Sequence, residues 1–276
     1  MNPSIKNYYD DKTVLLTGTT GFVGKVILEK TLRSLNNVKQ VILFMRPKKG
    51  ISAYDRFLQT TLISPLFDPL KEQLGQNFEE FIAQKIKVIE GDLLADNLGM
   101  KSEDRQYIIE NCNIIVNCAA SIDFNALLID SINTNIKGSL RMFNLAKECK
   151  QLDNFVHVST AYVNSDKTGF IEERIYDVQY DPHELLSQIS KIPASKLEAQ
   201  TPAIIGKFPN TYTFTKSLVE RILKKEKPEN FSLTIVRPSI VGSTCKEPFK
   251  GWVENLAAST AVFAFAEKTT VQKNQK

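Results

Sequence analysis

Apolar residues recur along this chain in two patterns, short continuous runs and longer stretches at three- and four-residue spacing. The runs are Val14-Leu15-Leu16, Gln40–Met45, Lys85–Glu90, Asn113–Ala120, Asn154–Val158 and Phe231–Val236. Their length and their content of Val, Ile and Phe predict buried strands. Between them come helical sets such as Val23, Val26, Ile27, Leu32 and Leu35. Strand and helix patterns alternate without internal repeats or a low-complexity linker, so residues 1–276 read as one α/β domain. Residues 51–84 form an insertion into the minimal unit. Within it Ile51–Leu58 reads as an amphipathic helix and Ser64-Pro65-Leu66-Phe67-Asp68 as a turn, with structural filler as the plain reading. Residues 165–208 carry Pro182, Pro193 and Pro202 and mixed charge, with Pro209 just after. They read as irregular and are expected to cover a substrate cleft, with 243–276 as a further substrate-side segment.

The first strand runs into Thr17-Gly18-Thr19-Thr20-Gly21-Phe22-Val23-Gly24. A glycine-rich turn between strand and helix aims backbone N–H groups and the helix's positive end at an anion, usually a dinucleotide pyrophosphate. Gly18 is expected to make the turn, Gly21 to let phosphates approach, and Gly24 to let the helix close on the strand. The spacing is G-x-x-G-x-x-G rather than G-x-G-x-x-G, and a turn that merely connects is the alternative. Its place at the first strand favours the phosphate reading. Thr17, Gly18, Thr20, Gly21, Phe22, Val23 and Gly24 are the candidates here. The motif resembles the extended branch of the short-chain dehydrogenase/reductase superfamily. That resemblance implies a Rossmann-type doubly wound parallel sheet, helices on both faces, and a small substrate-covering region.

Composition narrows the class. The chain is 42% hydrophobic and 24% charged, ordinary for a globular domain. Four cysteines without a C-x-x-C pair and two distant histidines argue against a metal site or a disulfide framework. A reducing compartment fits best. The net charge of +4 is mild, and Lys48-Lys49 and Lys224–Lys227 are too short for a nucleic-acid footprint. No apolar run follows a basic start, and no stretch reaches bilayer-spanning length, so a soluble, cytosol-facing protein is expected.

Chemistry-bearing residues gather after the predicted strands. No acid closes the second strand; Arg46 stands there, followed by Pro47-Lys48-Lys49-Gly50. An acid at this place holds the ribose hydroxyl of NAD, whereas a cation accommodates the 2′-phosphate of NADP. NADPH is therefore expected, with a basic surface turn as the alternative. After the third strand, Asp92 (followed by Leu93) is either an adenine-side ligand of the superfamily type or a turn residue. Asn117 and Ala119 end the fourth strand in small residues that leave room for a cofactor. Asn135 lies on the next helix and resembles the superfamily's water-holding Asn, or is a satisfied helical amide. Ser159 and Thr160 follow the fifth strand. Aligned on the superfamily's Ser pair, Thr160 takes the place that hydrogen-bonds the substrate carbonyl, with a slip of one residue left open. His157 reads as a satisfied core histidine. Tyr212 and Lys216 are four apart, on one helix face about 5–6 Å apart at Cβ. A phenol donates the proton that a carbonyl needs when hydride arrives, and a nearby ammonium brings its pKa toward the working range.

Several segments together resemble the fatty acyl-CoA reductases, which carry a male-sterility-type NAD-binding domain. They are Phe155–Asn164, Asn210–Lys216, Val236–Val241, Gly251–Asn255, Arg46–Gly50 and Ser64–Asp68, in family order along nearly all of the chain. The resemblance implies NADPH-dependent reduction of long-chain acyl-CoA to a primary alcohol through a bound aldehyde. It adds Pro238 and Ser239 to the cofactor candidates and implies peripheral contact with peroxisomal or endoplasmic-reticulum membrane. It names no nucleic-acid partner and leaves the oligomeric state open. Another extended reductase or epimerase, acting on a sugar nucleotide or steroid-like substrate, and a nucleotide-binding fragment without turnover are the alternatives. Most members continue into a C-terminal domain that is expected to be absent here. The last apolar run, Leu256–Ala266, is too short to span a bilayer.

Overall fold

A computed structural model describes residues 4–254. The six strands β1 (Thr13–Thr17), β2 (Gln40–Met45), β3 (Ile86–Glu90), β4 (Ile114–Asn117), β5 (Asn154–Val158) and β6 (Leu233–Val236) form one sheet. All pairings are parallel and the order is β3-β2-β1-β4-β5-β6. In chain order the helices are α1 (Ile5–Tyr8), α2 (Phe22–Ser34), α3 (Ala53–Phe57), α4 (Asp68–Leu74), α5 (Phe78–Lys85) and α6 (Ser102–Asn111). They continue as α7 (Leu128–Ser131), α8 (Gly138–Glu148), α9 (Pro182–Ser190), α10 (Ala194–Ile205) and α11 (Thr211–Glu226). This is the expected doubly wound sheet, and its order reverses between β1 and β4, where open α/β sheets bind ligands.

The continuous apolar runs have a simple cause: helices cover both faces, so both sides of each central strand are buried. Leu15, Ile42, Phe44, Ile115 and Phe155 point into one core with α6, α8 and α11. Val14, Leu16, Val41, Leu43, Ile114 and Val116 point into the other with α2 and the insertion.

Two expectations change. Residues 165–208 are not irregular throughout, because they contain α9 and α10. The prolines misled: Pro182 occupies the first turn of α9, where its missing N–H costs nothing, and Pro193 caps α10. Only Pro202 lies inside a helix. The insertion is more than filler. Phe57, Leu66, Phe67, Leu70 and Ile82 close the second core, and α3 brings Arg56 to Thr20 of the glycine turn. Residues 255–276, including Asn255 and the run Leu256–Ala266, lie outside the described residues. Among the described residues no helix is long and apolar enough to cross a membrane.

Candidate active site

The glycine turn behaves as its spacing suggests. Gly18 has φ +80°, and a Cβ there would sit 2.9 Å from the Ala119 nitrogen. Gly24 is tighter still, since a Cβ would lie 2.2 Å from the Gly18 carbonyl oxygen, so α2 can close on β1 only with glycine at this place. Gly21 caps α2 with extended backbone. It leaves the N–H groups of Phe22, Val23 and Gly24 at the helix start without i−4 partners, as any first turn does. Beneath the turn, the Thr17 hydroxyl accepts from the Cys118 and Ala119 N–H groups at 3.0 and 2.9 Å. Asn117 accepts from Thr17 at 3.4 Å and meets His157 Nδ1 at 3.2 Å. Asn117 is thus a floor beam rather than a free ligand arm. His157 is fully buried and half satisfied, because its Nε2 has no partner. Burial, then Lys216, drives its pKa well below the usual value, so it stays neutral.

At the open end of β2, Arg46 lies 3.9 Å from Asp92, and both side chains are substantially exposed. Asp92 also accepts from the Leu94 N–H at 2.9 Å, and the Leu93 carbonyl accepts from Arg141 at 3.1 Å. A second guanidinium stands here that the sequence reading passed over. Arg56 of α3 donates to the Arg46 carbonyl at 2.9 Å and to Thr20 of the glycine turn at 3.4 Å. Its pKa is pushed down, first by burial and then by Arg46, as expected for two cations sharing a corner. No local signal marked Arg56, since an arginine on a short amphipathic helix looks like a solvated face. The corner suits a phosphate. Residues 244–254 return to α2 beside the turn. Trp252 stacks on Phe22 at 5.2 Å, Glu254 pairs with the buried Lys25, and Glu247 bridges Lys30 and Arg33.

The catalytic candidates converge at the carboxyl end of β5. Asn210 caps α11 by accepting from the Thr213 N–H at 2.9 Å, which starts the helix so that Tyr212 and Lys216 share its inner face. Lys216 is 2% exposed and donates to the Val158 carbonyl at 2.8 Å. Burial lowers its pKa to about 8, against opposite pulls from Cys118 and Glu220. Tyr212 is pushed up, by burial first, while Thr160 draws it down and Cys118 adds to the rise. The expected direct lowering by the ammonium is therefore absent from this state: Lys216 points at Val158, and burial outweighs the hydroxyl. Thr160 caps the turn Ala161–Asn164 by accepting from the Tyr162 N–H at 3.3 Å. Ser159 Oγ is buried without a partner. The Pro238 carbonyl accepts from the Ala161 N–H at 2.8 Å, placing Pro238 and exposed Ser239 on the rim.

Asn135 sits in a π-helical turn, Ile132–Lys137, between α7 and α8, the kind of irregularity often found at functional sites. Its side chain is spent: it accepts from the Ser121 N–H at 2.8 Å and donates to the Ser121 carbonyl and the Thr215 hydroxyl, both at 3.2 Å. It ties the chain after β4 to α11.

The profile described as Male sterility protein matches residues 16–275. Fatty acyl-CoA reductase 1 of Xenopus laevis is 38% identical over 96% of this chain and 50% of its own length. The Gallus gallus protein of that name is 40% identical over the same shares. Mouse fatty acyl-CoA reductase 2 is 37% identical over 91% of this chain and 47% of its own length. The chain thus spans about half the length of the curated relatives it matches. Among solved structures, the terminal R domain of the myxalamid PKS-NRPS pathway superposes with TM-score 0.60 at 19% identity, covering 85% of this chain and 50% of that one. A thiolation-reductase di-domain from an archaeal non-ribosomal peptide synthetase gives TM-score 0.60 at 19% identity over 92% and 46%. These two likenesses establish the reductase-domain fold alone. With the profile running to residue 275 and 265 residues aligned to relatives at 38–40% identity, the chain belongs to the Male sterility protein family.

Proposed function

We propose that this chain carries out NADPH-dependent reduction of a long-chain fatty acyl-CoA to the primary alcohol, through an aldehyde that stays bound. The observation that carries the reading is the convergence of Thr160, Tyr212 and Lys216 at the carboxyl end of β5, two strands from the glycine turn of β1.

When bound, NADPH supplies the hydride. The chain's residues fit it: the turn 18–24 offers N–H donors and a helix start for the pyrophosphate, and Arg46 with Arg56 offers two forks for the 2′-phosphate. Asp92 borders the adenosine side. Thr160 donates to the thioester oxygen, and Tyr212 gives up its proton as charge develops there. Lys216 holds ribose hydroxyls and favours the phenolate that remains. The thiohemiacetal expels CoA as the thiol, its hydroxyl proton passing to sulfur. The aldehyde, still bound, takes its hydride from a second NADPH that replaces the oxidised one, and Tyr212, recharged from solvent, donates to the oxygen. Ile122, Phe124 and Leu127 expose apolar surface, and the Phe124 ring lies 5.6 Å from Tyr212, a path for the acyl chain. The region 165–208 is the proposed cover of that chain, whereas the described residues after Trp252 pack on α2 beside the glycine turn instead.

Incubation with palmitoyl-CoA and NADPH, with the product identified by mass, tests the reading. Two NADPH consumed per hexadecanol is the expected result. One NADPH and free aldehyde would remove the second step. Turnover of a UDP-sugar and none of acyl-CoA would replace the substrate class.

A further inference from the structure

A cavity of about 280 Å³ lies between residues 175–182 and the second half of α11, apart from the cleft described above. Tyr176, Asp177, Tyr180, Arg221, Lys224 and Lys225 line it. Its volume falls just below that of ligand pockets, roughly 300–1,000 Å³, so it suits one end of a ligand rather than the whole.

Arg221 gives the cavity its chemistry. It is 7% exposed, its Nε has no hydrogen-bond partner, and its Nη1 is spent on the Ser217 carbonyl and hydroxyl one turn back. Among the described residues no carboxylate lies within 4.0 Å of it, whereas other cations nearby are paired: Arg174 with Glu172, Lys167 with Asp166, Lys225 with Asp181, and Arg237 with Glu220. Lys224 on the same wall has no such partner either among the described residues. Three cations on the wall therefore face Asp177 and the Asp181 that holds Lys225, leaving one positive charge in excess. A buried guanidinium without a counter-charge is costly, and its planar fork matches a phosphate. The lysines alone would be unremarkable, since cations in the last turn of a helix complement its dipole. Arg221 lies further in, is buried, and has no such explanation.

The cavity borders elements that also carry the candidate site. Arg237, just past β6, and Asn164, at the end of the Thr160 turn, both donate to the Arg174 carbonyl, at 3.2 and 3.4 Å. Tyr212 and Arg221 share α11 nine residues apart, about 13.5 Å along its axis. An acyl-CoA carries its thioester at one end of a long pantetheine arm and a 3′-phosphorylated adenosine at the other. With NADPH on the glycine turn, that second phosphorylated adenosine needs a site of its own. We propose that this cavity holds the phosphoadenosine end of the acyl-CoA, with Arg221 and Lys224 on the phosphate and Tyr176 and Tyr180 beside the base. The proposal rests on the acyl-CoA reading given above.

Calorimetric titration of adenosine 3′,5′-bisphosphate into the NADPH-saturated protein tests it. Wild type should bind, and Arg221→Gln and the exposed Lys224→Glu should each weaken binding about 10-fold or more. In turnover, KM for palmitoyl-CoA should rise by the same factor, with kcat unchanged. KM for the palmitoyl thioester of N-acetylcysteamine, which has no phosphate, should not move. Binding unaffected by both substitutions, or lost on NADPH saturation, overturns the site. Inorganic phosphate binding as tightly as the bisphosphate overturns the CoA assignment in favour of a free-anion site. Bisphosphate binding that needs Arg221, in a protein that reduces neither thioester, upholds the anion site and refutes the reductase reading instead.

Discussion

The two ends of the cleft are built by opposite means. At the β1–β2 end, the proposed recognition rests on backbone and on charge near the surface: glycines that let α2 close on β1, and exposed Arg46 with half-buried Arg56. At the β5–α11 end, the proposed chemistry falls to buried side chains from distant parts of the chain, with Lys216 nearly inaccessible and Ser159 and His157 each keeping an unpartnered polar atom. Charge in water is cheap to keep and weak in effect. Charge out of water is costly to keep and strong, which is what proton transfer at a developing oxyanion needs. The difference implies large consequences for changes at the buried end and graded ones at the exposed end.

The strongest break in that contrast is Tyr212→Phe. Losing a positioned proton donor should lower kcat by roughly 10²–10⁴-fold while NADPH still binds. A Tyr212→Phe protein with near-wild-type turnover would remove the chemistry from this end altogether.

Lys216 comes next, through stability rather than rate. Its pKa is about 8 in the folded chain against 10.5 as the ordinary value. The unfolded chain therefore binds more protons between those values, and stability rises with pH across that window. Compared with Lys216→Met, wild type should gain on the order of 3 kcal/mol from the lower to the upper limit. Urea unfolding of both proteins across the window reads this directly. A gap that stays constant with pH would mean that Lys216 is not held in a desolvated site.

The smallest effect belongs to the exposed corner. Arg46→Asp, and separately Arg56→Ala, should weaken NADPH binding by about 1.5–3 kcal/mol, the worth of a charge-assisted hydrogen bond. NADH binding and the melting temperature should stay near wild type. Equal binding of both nucleotides by wild type and variants would show that the corner reads no 2′-phosphate.

Legibility in the sequence followed the same division. The strands were visible as short apolar runs, because a sheet covered on both faces must be apolar on both. The turn was visible because its geometry demands glycine at Gly18 and Gly24. Tyr212 and Lys216 were visible as a pair because both lie on α11, where spacing maps onto a face. The helices α9 and α10 were missed because proline breaks a helix from inside yet begins one at its first turn, and the residue alone does not say which.

What the sequence by itself determined, then, was whatever depends on neighbours within a turn or two: strand runs, the glycine turn, the capped start of α11. Tertiary structure decided the rest. It brought Arg56 from the insertion to Thr20, Asn135 to Thr215 across 80 residues, Trp252 onto Phe22, and Arg221 to a cavity wall without a partner. It also set the protonation tendencies of Tyr212 and Lys216, because a pKa depends on burial and on which charges surround a group. Those are properties of packed space, to which the order of residues along the chain is only an indirect guide.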